Sequence, residues 1–158
     1  MRFEMSRSHE FLSRNSEQTL ELGRRLGEQL SGGEVVLLFG PLGAGKTVFV
    51  RGLASGIGLR QEEIRSPSFT LINEHQGRMV FYHVDLYRLS HASLMDLGLE
   101  DLYRSDAVVA VEWAERLEEA GWDLGDSILV EIDYHPTQED TRILLIDGGG
   151  LVALEAES

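Results

Sequence analysis

The feature that most constrains the fold of this 158-residue chain is the segment at residues 40–47, which matches the pattern G-x-x-x-x-G-K-[ST]. The unbroken, partly β-branched apolar run at residues 35–39 precedes it and predicts a strand buried on both faces. Residues 47–57 follow it and predict a helix, which Gly56 and Gly58 help to end. The pattern is meaningful only between a strand and a helix, and that is its setting here. We therefore interpret residues 40–47, called the glycine loop below, as a phosphate-binding loop.

Each part of the glycine loop has its own expected contact with a bound nucleotide. Glycines let backbone N–H groups wrap around phosphates, and the following helix presents its positive end to them. We expect the amides from Gly43 onward to hold phosphate, Lys46 to neutralise the outer phosphates and Thr47 to give its hydroxyl to magnesium. ATP with Mg2+ is the predicted ligand, and the alternative is a glycine-rich turn with an exposed lysine. The predicted nucleotide-binding residues of this segment are Pro41, Leu42, Gly43, Ala44, Gly45, Lys46, Thr47 and Val48.

Two carboxylates stand where a magnesium site beside this loop needs them, because ligands of open α/β sheets collect outside the carboxyl ends of the strands. Asp85 follows a predicted strand at residues 79–84, and Glu112 follows another at residues 107–111. Either could hold magnesium directly or through water while the other orients the attacking water, and the sequence leaves that choice open. Each could also be a solvated acid at a strand end. With the glycine loop present, we predict as metal ligands Thr47, Asp85 and Glu112, and as catalytic residues Glu112, Asp85 and Lys46.

Other positions near these acids have both a functional and a structural interpretation. His83 could be a base or a ligand, but a lone histidine on a strand is more often packed and hydrogen-bonded. Trp113 is expected to pack or to contact a partner rather than to stack on adenine, because it sits directly beside the second acid. The hydroxyls of Ser66, Ser68 and Thr70 could sense the terminal phosphate as a switch, or could cap a turn.

The remaining segments predict a mixed sheet with helices packed on its faces. Asn15 and Gln18 look like a capping pair that opens a helix, and apolar residues then recur at helical spacing until Gly32 stops it. Strands are predicted at residues 35–39, 66–73, 79–84, 107–111, 127–134 and 141–146, the second and third forming an antiparallel hairpin. The predicted fold class is α/β, a P-loop NTPase fold with a mixed, mostly parallel sheet flanked by helices. We expect a single ATPase domain over residues 1–158.

The charge balance bears on possible partners. Asp plus Glu outnumber Lys plus Arg by 27 to 14, a formal net charge of -13, so most of the surface would repel a polyanion such as nucleic acid. Direct binding of tRNA or DNA is therefore disfavoured. The chain has no cysteine, which excludes disulfides and thiolate metal sites and suits a reducing compartment. Its first residues lack the apolar run of a secretory signal, and we expect a cytoplasmic protein without membrane contact.

The sequence motifs described above, in this order and at these spacings, closely resemble those of one family. That family is TsaE, the P-loop ATPase component of bacterial tRNA threonylcarbamoyladenosine synthesis. The resemblance runs from about residue 15 to residue 146, nearly the whole chain. A glycine loop alone is shared by very many proteins, whereas the His-x-Asp-Leu-Tyr-Arg segment together with Glu-Trp is far more specific. The segments that carry the resemblance are residues 43–47, 66–71, 83–89 and 111–115.

The resemblance implies roles for residues at some distance from the glycine loop. Ser16, near the first helix, and Arg142, near the last strand, would contact the nucleotide. Residues 66–70 would form a switch-like segment near the γ-phosphate, with Thr70 in contact with the nucleotide. By the same resemblance, the magnesium and catalytic surroundings are Thr47, Asp85 and Glu112.

The sequence departs from the family pattern at two positions. Pro41 stands where the family loop usually has aspartate, and Ser68 stands where the family usually has threonine. Neither change removes a phosphate donor or the hydroxyl expected on magnesium. Proline has no N–H, but the amides expected to hold phosphate begin at Gly43.

The implied family role is ATP hydrolysis that supports repeated transfer of a threonylcarbamoyl group to the adenosine beside the tRNA anticodon. The chain would work with the TsaD and TsaB proteins and would reach tRNA only through them, which agrees with its acidic composition. The sequence shows no obvious arginine finger or closing lid, so we expect slow hydrolysis in isolation.

Two other functions remain as alternatives. A P-loop small-metabolite kinase usually needs arginines in a lid over the transferred phosphate, and here Arg88 and Arg104 form no cluster that marks such a lid. A non-hydrolysing nucleotide-sensing scaffold would bind ATP without turnover, and the difference depends on where Glu112 points. A GTPase usually carries an Asn-Lys-x-Asp segment, which this sequence lacks.

Overall fold

The computed structural model describes residues 8–65 and 72–148, and the proposed switch hydroxyls of residues 66, 68 and 70, Thr70 included, lie outside this part of the chain. The strands of the described part are β1 (Ser8–Ser13), β2 (Val35–Phe39), β3 (Ile72–Gln76), β4 (Val80–Asp85), β5 (Ala107–Glu112), β6 (Ile128–Tyr134) and β7 (Arg142–Asp147). The α-helices are α1 (Ser16–Gln29), α2 (Lys46–Gly56), α3 (His91–Met95) and α4 (Glu115–Glu119), with short 3-10 helices at Gln61–Glu63 and Leu99–Leu102.

All of these strands form one mixed sheet, in the order β1-β7-β6-β2-β5-β4-β3. β2 pairs in parallel with β6 and β5, and β5 pairs in parallel with β4. The pairs β1–β7, β6–β7 and β3–β4 are antiparallel. Five of these seven strands run in one direction, and β3 and β7 run opposite to them. The predicted mostly parallel sheet is therefore correct for the direction of the described strands. The prediction does not extend to the pairing of neighbouring strands, because the described sheet has as many antiparallel as parallel pairs.

β2 lies at the centre of the sheet because its side chains are apolar and face a hydrophobic layer on each side. One layer contains the long helices α1 and α2, with Leu26, Phe49 and Leu53 fully buried. The other layer contains the shorter segments α3, Leu99–Leu102 and α4. A continuous apolar run is the pattern expected of a strand covered on both faces. The carboxyl end of this buried strand leads into the glycine loop.

α1 and α2 pack with their backbones in contact. α1 carries Gly23 and Gly27, and α2 carries Gly52 and Gly56. A Cβ added at any of these four glycines would lie between 2.0 and 2.3 Å from a carbonyl oxygen of the other helix. Only glycine permits such a close backbone approach. These four positions therefore fix how α1 docks on the helix that follows the glycine loop.

The helix and hairpin predictions are confirmed. Asn15 is the N-cap of α1 and its side chain accepts a hydrogen bond from the Gln18 N–H at 2.8 Å, while the Gln18 side chain accepts from the Arg14 N–H at 2.7 Å. β3 and β4 form the antiparallel hairpin, although residues 66–71 of its predicted first strand lie outside the described part.

β1 was not predicted. Among the described strands it lies at the edge of the sheet and pairs with β7 alone, and Ser13 is its only buried residue. A strand that buries so little has no strong apolar alternation to reveal it. No helix among the described residues is both long and apolar enough to cross a bilayer. The assignment of residues 1–158 to one domain stays a prediction.

Candidate functional site

The glycine loop connects the carboxyl end of β2 to the start of α2, as predicted. Gly43 and Gly45 adopt positive φ angles of 79° and 114°, which residues with a Cβ rarely adopt. Gly45 is the N-cap of α2, so the helix presents the N–H groups of its first turn towards the loop. Within the loop, the Ala44 N–H donates to the Pro41 carbonyl at 3.2 Å. The loop is thus a tight, glycine-containing turn at the start of a helix, which is the form typical of phosphate-binding loops.

Lys46 is the only lysine in the sequence, and it is 5% exposed. Its ammonium donates to the carbonyl oxygens of Gly40 and Pro41 and lies 3.8 Å from a ring centroid of Trp113. Burial lowers the pKa of Lys46, while the negative charge of Glu115 and of the two predicted site acids opposes this shift. The loop therefore holds a buried cation at its base.

Glu112, the last residue of β5, joins the glycine loop to the neighbouring strands. The Thr47 hydroxyl donates to this carboxylate, with Oγ1 lying 2.9 Å from Oε1 and 3.0 Å from Oε2. On the other side, His83 Nε2 lies 2.6 Å from Glu112 Oε2, and both side chains are almost fully buried. The expectation that His83 is packed and hydrogen-bonded is confirmed. Its partner is one of the predicted site acids.

Asp85 ends β4 and lies opposite Glu112 in the register of the parallel strands β4 and β5. Its Oδ1 accepts a hydrogen bond from the Tyr87 N–H at 2.9 Å. Burial raises the pKa of Asp85, and the charge of Glu112 acts in the same direction. Two neighbouring strands thus present carboxylates at one edge of the sheet, as the sequence predicted.

A cavity of about 320 Å³, called the first cavity, lies against the glycine loop, and its lining includes Gly43, Lys46, Thr47, Asp85 and Glu112. Hydroxyl and carboxylate oxygens are the donors that magnesium prefers, and nucleotide sites usually complete its shell with phosphate oxygens and water. Among the described residues, no group of three or more His, Cys, Asp or Glu side chains could hold a metal alone. The donor set therefore fits a magnesium ion shared with phosphates and not one caged by protein.

A second cavity, of about 120 Å³, lies on another side of the loop. Ser16 and Arg142, which only the resemblance singled out, both line it, together with residues 43–45 and Val48. Gly43, Gly45 and Val48 line both cavities. Ser16 and Arg142, which come from opposite ends of the chain, are thus brought to the same side of the glycine loop.

Pro41 lies elsewhere. Leu42 lines the first cavity and Ala44 the second, but Pro41 lines a separate cavity together with Gly40 and Glu115. Its carbonyl turns towards the Lys46 ammonium at 3.0 Å. A direct contact between Pro41 and the nucleotide stays a prediction.

Two residues that support the loop were missed by the sequence analysis. Glu115 Oε2 accepts a hydrogen bond from the Gly40 N–H at 2.7 Å, and the Tyr134 hydroxyl donates to the Leu42 carbonyl at 2.6 Å. Glu115 stands three residues after Glu112 within the most distinctive segment, which was a signal that could have found it. Tyr134 ends a strand far along the chain, and nothing in the local pattern marks it.

Trp113 packs over the loop lysine. It has a positive φ of 61°, which is rare for a bulky residue, and its ring lies 4.7 Å from the ring of Tyr87 between centroids. The turn after β5 thus places the indole in contact with both the Tyr87 ring and the Lys46 ammonium. The prediction that Trp113 packs, made against adenine stacking, agrees with these contacts.

Comparison with known protein families connects this geometry to a biological process. The family model described as threonylcarbamoyl adenosine biosynthesis protein TsaE matches residues 13–144, which include the glycine loop and both site acids. This chain belongs to the TsaE family. The resemblance drawn from the sequence is therefore confirmed, and the matched region contains most of the described sheet.

Individual TsaE proteins show the same relationship. The tRNA threonylcarbamoyladenosine biosynthesis protein TsaE of Nostoc sp. strain PCC 7120 is 48% identical over 108 residues, which cover 65% of this chain and 66% of that protein. The protein of the same name from Treponema pallidum strain Nichols is 45% identical over 107 residues, covering 67% and 78%. The crystal structure of Bacillus subtilis YdiB matches with a TM-score of 0.71 at 28% identity, covering 90% of this chain and 86% of that one. The mixed α/β architecture is thus shared with a solved structure.

Proposed function

We propose that the chain is a cytoplasmic, magnesium-dependent ATPase with a P-loop NTPase fold that acts in tRNA threonylcarbamoyladenosine biosynthesis. ATP hydrolysis here supports transfer of a threonylcarbamoyl group to the adenosine beside the tRNA anticodon. TsaD and TsaB are the partner proteins, and they carry out the transfer chemistry and contact the tRNA.

The observation that carries the ATPase proposal is the hydrogen bond between Thr47 and Glu112. This bond joins Thr47, at the start of α2, to Glu112, at the carboxyl end of β5. Ligands of open α/β sheets bind outside the carboxyl ends of the strands. Lys46 and Asp85 line the same cavity. A hydroxyl, an ammonium and two carboxylates around one cavity provide a cation for phosphate and oxygen ligands for magnesium.

The contacts favour different tasks for the two acids. Glu112 is hydrogen-bonded to Thr47 on one side and to His83 on the other, so its position suits it to hold magnesium together with the Thr47 hydroxyl. Magnesium, when bound, neutralises phosphate charge and aligns the phosphates. Asp85 has a pKa raised by burial, which favours accepting a proton, so we assign it to orient the attacking water.

Lys46 supplies the positive charge of the loop. Its ammonium is held by loop carbonyls beside the cavity, close to where the outer phosphates of a nucleotide would lie. Charge that develops on those phosphates during hydrolysis is stabilised most effectively by a fixed, water-excluded cation. On the other side of the loop, Ser16 and Arg142 would contact the remainder of the nucleotide.

Calorimetric titration with ATP and magnesium, together with phosphate-release assays, tests the ATPase proposal. The parent protein is expected to bind ATP and to release phosphate slowly without partners. Lys46→Ala should weaken ATP binding because the loop loses its only ammonium. Arg60→Ala is the control, since this side chain is 77% exposed and lines neither cavity. Unchanged ATP affinity in Lys46→Ala would contradict the assignment of the glycine loop.

The same assays separate the two alternatives. A kinase would transfer phosphate to an added metabolite, and a scaffold would bind ATP and release nothing. Arg104, one of the two arginines available for a kinase lid, pairs instead with Asp106 at 2.9 Å and lines neither cavity. Phosphate release that needs no acceptor would favour the ATPase over both.

Binding of the TsaD–TsaB complex tests the partner proposal. The sequence has a complete phosphate-binding pattern, no recognisable site for an acceptor substrate and a net charge of -13, so the energy of ATP would be passed to partners through a conformational change. A ligand shifts such an equilibrium only by its different affinity for the two states. Affinity for the complex should therefore differ between ATP and ADP, and Thr70→Ala should reduce the difference. Equal affinity under both nucleotides, or no binding, would count against this role.

A further inference from the structure

Tyr134 holds the tip of the glycine loop, at Leu42, without lining the first or the second cavity. It is the last residue of β6, and its hydroxyl donates to the Leu42 carbonyl oxygen at 2.6 Å. Leu42 is 67% exposed, so packing does not hold it in place. Tyr134 therefore fixes the tip of the loop through the backbone of Leu42.

The held carbonyl and the N–H of Gly43 belong to the same peptide unit. A trans peptide is planar, and its C=O and N–H point in opposite directions, so fixing one direction fixes the other. Gly43 lines both cavities and has a φ of 79°. Glycine populates many backbone conformations, so the local chain alone does not determine where this peptide points. The hydrogen bond from Tyr134 supplies that restraint.

The Tyr134 ring is itself held by Arg142. The two residues are opposite each other in the antiparallel register of β6 and β7, and the guanidinium carbon lies 4.5 Å from the ring centroid. Arg142 is fixed in turn, because it donates to the carbonyl oxygens of Glu139 and Thr141 at 3.0 and 3.2 Å. Arg142 also lines the second cavity. One chain of contacts thus connects that cavity to the tip of the loop.

We propose that Tyr134 is a positioning residue that aims the Gly43 N–H at the phosphates of the bound nucleotide. This inference rests on the proposed function, because it requires phosphate at the glycine loop. Without the hydroxyl, the peptide between Leu42 and Gly43 rotates more freely, and phosphate binding must restrict it. Affinity for ATP falls as a result.

Tyr134→Phe tests the proposal, because it removes the hydroxyl and keeps the ring beside Arg142. Tyr103→Phe is the matched control, since Tyr103 is 41% exposed against 44% for Tyr134 and lines neither cavity. Three quantities are measured for each variant: the Kd for ATP with magnesium by calorimetry, the melting temperature, and the amide nitrogen shift of Gly43 by NMR without nucleotide. The last readout is sensitive to hydrogen bonding at the preceding carbonyl.

Tyr134→Phe is expected to raise the Kd for ATP about fivefold, the effect of losing one neutral hydrogen bond. The Gly43 nitrogen resonance is expected to shift, and the melting temperature to change little. In turnover, KM rises while kcat is nearly unchanged, because the amide contacts phosphate in the ground and transition states alike. Tyr103→Phe behaves like the parent in every measurement.

An ATP affinity within twofold of the parent in Tyr134→Phe overturns the inference, whether or not the Gly43 resonance moves, and leaves the ATPase proposal standing. A lower affinity with an unmoved Gly43 resonance also overturns it, because the effect then comes from elsewhere. If the parent itself does not bind ATP, the proposed function fails. In that case an unmoved Gly43 resonance shows separately that Tyr134 does not orient this peptide.

Discussion

The Thr47 hydroxyl lies almost equally far from the two oxygens of the Glu112 carboxylate, 2.9 Å from Oε1 and 3.0 Å from Oε2. The two residues are 65 positions apart in the sequence, and the parallel pairing of β2 with β5 brings them together. This contact fixes a hydroxyl and a carboxylate relative to each other through the fold itself. Preordered ligands reduce the reorganisation that metal and phosphate binding would otherwise require.

Changing Thr47 should affect the magnesium-dependent part of ATP binding. Thr47→Ala removes the hydroxyl, so the gain in ATP affinity on adding magnesium should shrink and hydrolysis should slow. Thr47→Ser keeps the hydroxyl and should stay close to the parent. Calorimetric titrations with magnesium and with EDTA measure the gain directly. A full magnesium effect in Thr47→Ala would show that this hydroxyl is not a ligand.

Removing either site charge should slow hydrolysis with little effect on the fold. Glu112→Gln and Asp85→Asn each keep the shape of the side chain, and each should reduce phosphate release at least about tenfold, which corresponds to roughly 1.4 kcal/mol in the barrier. Asp126→Asn, an exposed acid, serves as the control. Parent-like rates in both site variants would mean that the magnesium site has been misplaced.

The titration of Lys46 should reveal its buried environment. Burial disfavours the charged form, so the pKa of Lys46 should lie below the value of about 10.4 for an exposed lysine. Reductive methylation with 13C-formaldehyde labels this side chain and the amino terminus alone, and NMR follows its titration. Glu115→Gln removes the strongest opposing charge and should lower the pKa further. Glu119→Gln, whose side chain is 61% exposed, should not; a Lys46 pKa at or above the ordinary value contradicts the described burial.

A methyl group at Gly27 should destabilise the fold. It would lie 2.2 Å from the Leu53 carbonyl oxygen, so α1 must move away from α2. Overpacking of this kind typically costs about 1–3 kcal/mol, more than the helix propensity that alanine gains over glycine, about 1 kcal/mol. Urea unfolding of Gly27→Ala should show the loss, whereas Glu28→Ala, at an exposed neighbouring position, should change stability little. An unchanged midpoint for Gly27→Ala would refute the close approach.

The sequence predicted the elements whose patterns arise from local chemistry. The apolar run of β2, the capping pair at Asn15 and the glycines of the loop each act within a few residues, so their patterns are complete in the printed chain. β1 was not predicted because its formation as a strand depends on pairing with β7, which comes from the other end of the chain. Likewise the count of antiparallel pairs depends on where β7 inserts, which local periodicity does not specify.

The candidate site divides in the same way. Lys46, Thr47 and the two strand-end acids could be predicted because their chemistry follows from a motif and from sheet geometry. Ser16 and Arg142 needed a family resemblance, since neither has a local signal. Tyr134 was missed altogether, because its hydrogen bond joins residues 92 positions apart. The bond is accepted by the backbone carbonyl of Leu42, so the identity of the Leu42 side chain gives no signal for it.

The backbone contact between α1 and α2 has a mechanical consequence. With no side chains between the helices at their four glycines, there is no soft layer to deform, and repulsion between the backbones rises steeply with any approach. The two helices therefore behave as one rigid unit. Ser16 is the first residue of α1 and Lys46 is the first residue of α2. Movement that widens or narrows the first cavity therefore falls to lining residues outside the two helices, among them Asp85 and Trp113.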